Sequence, residues 1–89
     1  MARPNQSIGD VQKVMGTDAR LLNTQRINGV VYELYIGVDD NGRKSDKGFV
    51  RIYDLETGNT VSIAEHPTFG QAQSVYFELI QSDANHQEK

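Results

Sequence analysis

Lys47, Phe49, Arg51 and Tyr53 recur at every second position of the stretch SDKGFVRIYD, with Val50 and Ile52 between them. In an extended chain alternate residues point to opposite faces, so one face carries a cation, an aromatic, a cation and an aromatic. Rings and guanidinium groups set side by side suit two kinds of contact. One is stacking and charge contact with a single strand of nucleic acid. The other is a protein interface, where Tyr and Arg are the enriched anchors. Tyr35 joins the set from a neighbouring extended run, and Arg43 and Lys44 add to Lys47 in the polar loop just before it. The candidate binding residues are therefore Tyr35, Phe49, Arg51, Tyr53, Arg43, Lys44 and Lys47.

Lys47-Gly48-Phe49 matches the start of the RNP1 signature of RNA-recognition domains, and Val50 can stand for its later valine. The small–aromatic pair between them is missing, and the last position is Ile52 rather than an aromatic. That fold also needs a helix between its first and second strands, which this chain lacks. The chain is not assigned to that family, and only the looser expectation of a stacking surface survives.

Other chemistry is largely excluded. In VDDNGRKSD, placing Gly42 at the sixth position of a calcium loop puts Gly37 first and Gly48 twelfth, so two essential carboxylates are absent. Of the two histidines, His66 precedes Pro67 and His86 lies near the end of the chain, with no zinc-ligand spacing around either. Ser62 and Glu65 lie close to His66, but no nucleophile elbow frames them. Neither Gly-rich phosphate motif occurs. With no cysteine there is no thiol nucleophile, thiolate site or disulfide. No catalytic residue, metal ligand or cofactor is expected, and the chain reads as a non-enzyme.

Eighty-nine residues with a formal charge of −3 suggest one small domain spanning 1–89. Residues 1–6 and 82–89 read as flexible tails. The mild acidity weighs against a strongly basic nucleic-acid binder. No apolar leader or membrane-length run is present, so a cytoplasmic location is expected and the Asn5-Gln6-Ser7 glycosylation pattern is read as chance.

The elements that must position the candidates follow from periodicity. Ser7 with Asp10 reads as the cap of a short N-terminal helix through Ile8, Val11, Val14 and Met15, stopped by Gly16. Asn28-Gly29 marks a type I′ hairpin turn, which predicts the pairs Ile27/Val30, Gln25/Tyr32, Asn23/Leu34 and Leu21/Ile36. Val30, Tyr32, Leu34, Ile36 and Val38 then form the core face, opposite Val31, Glu33 and Tyr35, and the polar first strand belongs at an edge. A second hairpin turns at Glu56-Thr57-Gly58-Asn59, matching Val50 and Ile52 with Val61 and Ile63. Thr68 and Gln71 form a capping box for a final helix, whose stripe is Phe69, Ala72, Val75, Tyr76, Leu79 and Ile80. The expected fold is α+β: a four-stranded antiparallel meander of two hairpins, with a C-terminal helix packed on one face and a short N-terminal helix.

The function expected from this reading is a small protein-interaction domain, an adaptor, inhibitor or regulator, using the aromatic/Arg face of its sheet. Its partner would be another protein, a second copy of the chain included, and not a membrane. The alternative is a single-stranded nucleic-acid-binding module using the same face and the basic loop at 43–47.

Overall fold

The computed structural model describes residues 11–39, 41 and 43–87. Five strands, β1 (Val11–Val14), β2 (Thr17–Ile27), β3 (Val30–Val38), β4 (Lys44–Asp54) and β5 (Thr60–His66), precede one helix, α1 (Phe69–Gln87). The strands form one antiparallel sheet in the order β1-β2-β3-β4-β5, so each pairs with its neighbours in sequence.

The α+β meander with a C-terminal helix is present, but the expected N-terminal helix is corrected. Residues 11–14 are a strand, and Ser7–Asp10 lie outside the described residues. Met15 and Gly16 both have positive φ (53° and 81°), which makes a two-residue hairpin turn where a helix stop was expected. Val14 therefore pairs with Thr17 and Val11 with Arg20. β-Branched Val11 and Val14 suit a strand, and the turn overrides the helical spacing.

The Asn28-Gly29 turn forms as expected, with φ of 55° and 84°. Ile27↔Val30, Gln25↔Tyr32 and Asn23↔Leu34 are in register. Leu21 is not opposite Ile36. A bulge at Leu22 sets Leu21 against Tyr35, and one extra residue moves a side chain to the other face. The first strand of that hairpin, β2, is also only partly an edge, because β1 covers it as far as Arg20.

The first sheet face carries α1. Tyr32, Leu34, Val50, Ala72 and Tyr76 are buried there, flanked by Phe69, Val75, Leu79 and Ile80 from the expected stripe. The Gln71 N–H donates to Thr68 Oγ1 at 3.1 Å, the predicted cap. The start of the helix lies so close to β4 that a Cβ on Gly48 would come within 2.6 Å of the Ala72 Cβ. Tyr76 O–H donates to Asn23 Oδ1 at 2.9 Å, tying α1 to β2. The helix continues through residues 82–87, past its expected end, because no Gly or Pro interrupts that segment.

The second face has its own core of Val14, Ala19, Tyr35 and Phe49, with Leu21 and Ile63 packed against it. Val14 and Ile63 come from the first and last strands, so the sheet curls its two edges towards each other over this face. The expected match of Val50 and Ile52 with Val61 and Ile63 is out of phase. Val50 pairs with Ala64 and Ile52 with Ser62, while Ile63 lies opposite Arg51. Val61, at an irregularity in β5, is 65% exposed.

Candidate functional site

The residues singled out from the sequence separate into four environments. Phe49 is 0% and Tyr35 1% exposed, both beneath the β1–β2 hairpin. They were expected to face outward on a contact surface. Val14 of β1, with Ala19 and Leu21 of β2 and Ile63 of β5, encloses them in a second core, so neither ring is available for stacking.

Arg51 marks the border of that core. Its Nη1 donates to Glu33 Oε1 at 3.0 Å, across the β3–β4 pair that sets the two residues opposite each other. Tyr35 O–H donates to the same oxygen at 2.9 Å, and Arg51 Nε donates to Thr60 Oγ1 at 3.3 Å. Burying a carboxylate is tolerable only with such partners. Burial, then the hydrogen bond and charge of Glu33, pushes the Tyr35 phenol up to about 12. The network therefore holds Tyr35 neutral as a donor and Glu33 as an acceptor. Beside it, the barrel-like mouth between β1 and β5 is a cleft of about 260 Å³ lined by Lys13, Met15, Arg51, Thr60 and Ile63 among others.

Tyr53 continues the same face one step further, beyond the described β1–β2 pairing of Thr17–Arg20. Its ring carries the Arg51 guanidinium carbon 4.7 Å from the centroid, a cation–π contact on one side. Its other surroundings are an open groove of about 360 Å³ lined by Thr24, Arg26, Val31, Tyr53 and Leu55. Register explains the lining. Arg26 pairs with Val31, and Val31 with Tyr53, so three adjacent strands place these side chains in one row. The Leu55 N–H donates to the Gly29 carbonyl at 3.0 Å, which holds the β4–β5 loop against the β2–β3 turn and sets the wall at that end.

The basic loop is elsewhere. Lys44 lies nine residues from Tyr53 along β4, about 30 Å at the rise of an extended strand. Lys47 is paired with Glu65 at 3.0 Å. Arg43 closes the loop through its backbone, its N–H donating to Asp39 Oδ1 at 2.9 Å. The structure thus joins Arg51 and Tyr53, buries Tyr35 and Phe49, and leaves Arg43, Lys44 and Lys47 apart from them.

Val31 belongs to the face expected to make contact, whereas Thr24, Arg26 and Leu55 were not expected as site residues. The Asn28-Gly29 register already set Thr24 and Arg26 on the face of Glu33 and Val31, so the signal lay in the hairpin. Among the described residues no group of three or more His, Cys, Asp or Glu side chains is placed to hold a metal ion. No described helix is long and apolar enough to cross a membrane. Comparison with known proteins finds no matching family model, no matching curated protein and no matching solved structure.

Proposed function

We propose that the chain is a small non-enzymatic protein-interaction domain, an adaptor, inhibitor or regulator, and that its contact surface is the open half of the second sheet face. The observation that carries this reading is the groove floored by Val31 and walled by Thr24, Arg26, Tyr53 and Leu55. It combines a tyrosine and an arginine, the residue types that anchor interfaces, with apolar surface that a partner side chain can desolvate. The Arg51 cation–π contact and the Glu33 pair brace Tyr53 before any partner arrives, which lowers the ordering entropy lost on binding.

The nucleic-acid alternative draws less support. Of its three proposed stacking rings only Tyr53 borders open space, and the loop cations lie far along β4 from it. A photo-crosslinking residue introduced at Leu55, with the same residue at Gln73 on exposed α1 as control, tests the proposal in native extract. A discrete protein adduct at position 55, absent at 73 and lost on adding Tyr53→Ala, is the expected result. Equal labelling at both positions would sink it. Retention of a labelled oligothymidine at low salt, weakening as salt rises, would favour the alternative.

A further inference from the structure

The groove borders a second feature, the outer backbone edge of β2. β1 pairs with β2 only from Thr17 to Arg20, so among the described residues nothing pairs with the outer edge from Leu21 to Ile27. Ile27 and Val30 flank a two-residue turn and form its closing hydrogen-bonded pair, so the antiparallel alternation fixes the rest. Gln25 points its N–H and C=O towards β3. Thr24 and Arg26 point theirs out of the sheet. These are the two β2 residues whose side chains line the groove. One short segment therefore offers outward backbone donors and acceptors together with a specificity wall.

The charge of this edge selects its occupant. From Ala19 to Ile27 the chain carries Arg20 and Arg26 and no acidic residue, although the whole chain is at −3. The ion pairs among the described residues are Lys13–Asp18, Lys47–Glu65 and Arg51–Glu33, and none uses Arg20 or Arg26. The opposite edge is built differently. β5 carries an irregularity beside Val61 and an ion-paired Glu65, and it faces β1 across the mouth of the curled sheet. A bulge within an edge resists strand addition, and the β2 bulge at Leu22 lies outside the regular run Asn23–Ile27.

We infer that β2 receives an acidic, extended segment of a partner protein as an added strand along Asn23–Ile27, with its carboxylates meeting Arg26 and an apolar side chain reaching the groove over Val31. This rests on the proposed interaction role and names the partner's form and charge. Main-chain bonds supply affinity in such strand addition, and alternate side chains supply specificity.

The test uses the full chain and a seven-residue peptide alternating glutamate and valine, with a lysine–valine peptide as control. Backbone amide exchange is followed residue by residue. In the free protein the Thr24 and Arg26 amides should exchange rapidly. Saturating acidic peptide should slow them by about tenfold or more, as expected for amides drawn into a ladder. Thr24→Pro removes one outward donor at an edge position, where proline is tolerated. It should weaken binding by about tenfold, and Arg26→Glu by a similar factor. A peptide N-methylated at alternate amides should fail to bind, a control that needs no protein variant.

Slow exchange of both amides in the free, dilute protein would mean the chain covers its own edge and would overturn the inference. Protection that appears only with rising protein concentration would overturn it in favour of a second copy. Equal binding of the lysine peptide, or no protection by the acidic one, would also overturn it. If the Leu55 cross-link forms while these amides stay unprotected, the groove reading stands and strand addition alone falls.

Discussion

Phe49 and Tyr53 stand four residues apart on one strand and point to the same face, yet one is 0% exposed and the other walls an open groove. Their own sequence neighbourhoods do not explain the difference. Each has one β-branched aliphatic neighbour, Val50 or Ile52, and both have Arg51 two positions away. What differs is the layer above them. The β1–β2 hairpin contributes Val14, Ala19 and Leu21 over Phe49, and among the described residues the β1–β2 pairing runs no further than Arg20. Among the described residues, the sheet face is thus divided into core and contact surface where the β1–β2 pairing stops.

The largest blow to this division is Phe49→Ala. It should cost about 3–5 kcal/mol, the usual range for emptying a fully buried aromatic site. Denaturant titration measures it, and a loss under about 1 kcal/mol would mean that the covered half is not a core. Next is Arg51→Met at the border, which removes the cation and leaves the Glu33 carboxylate with Tyr35. A loss of about 2 kcal/mol is expected, less than for a fully buried pair because the guanidinium is partly exposed. Adding Glu33→Gln should recover part of it, whereas simple addition of the two losses would show that the pair is not coupled.

A third effect is confined to alkaline solution. Tyr35 titrates at about 12 in the fold against 10.0 for a free phenol, and Tyr76 is likewise raised to about 12, chiefly by burial. The unfolded chain therefore releases these protons first. The stabilisation is complete below about pH 10 and is lost as pH rises towards 12. Tyr35→Phe should flatten this decline, as followed by denaturant midpoints against pH. An unchanged slope would place the titration elsewhere. The smallest effect falls on the open half. Tyr53→Ala should change stability by only about 1 kcal/mol, mainly the lost Arg51 contact and partial burial. A loss as large as that of Phe49→Ala would erase the contrast between the two halves.

Much of the fold was legible because short-range chemistry dictates it. Asn28-Gly29 can hardly avoid a type I′ turn, and Thr68 with Gln71 caps a helix whose apolar stripe meets the sheet. The errors come from single-residue events with long-range consequences. The bulge at Leu22 and the irregularity at Val61 each break the two-residue alternation, so Leu21 and Ile63 move to the second face. Val11–Val14 was legible as apolar, but its helical spacing competed with a Met15-Gly16 turn. Methionine at positive φ is rare, and the burial of Val14 beside it depends on residues distant in the chain. The same three events hide Tyr35 and Phe49, which explains why the candidate site was half right.

The meander order has a kinetic consequence. Every strand meets its sequence neighbour, and the turns at Met15-Gly16 and Asn28-Gly29 are two residues long, so little loop entropy opposes each closure. Hairpins of this kind form in about 1–10 μs. Assembly can zip outward from the β2–β3 turn, which lies at the groove end of the sheet. Of the two edge strands, β5 also meets α1, whereas β1 pairs among the described residues only with β2 and can come away without tearing any other ladder. The covered half of the second face is thus the part best suited to open first, while the half that carries the groove is held by the central hairpins.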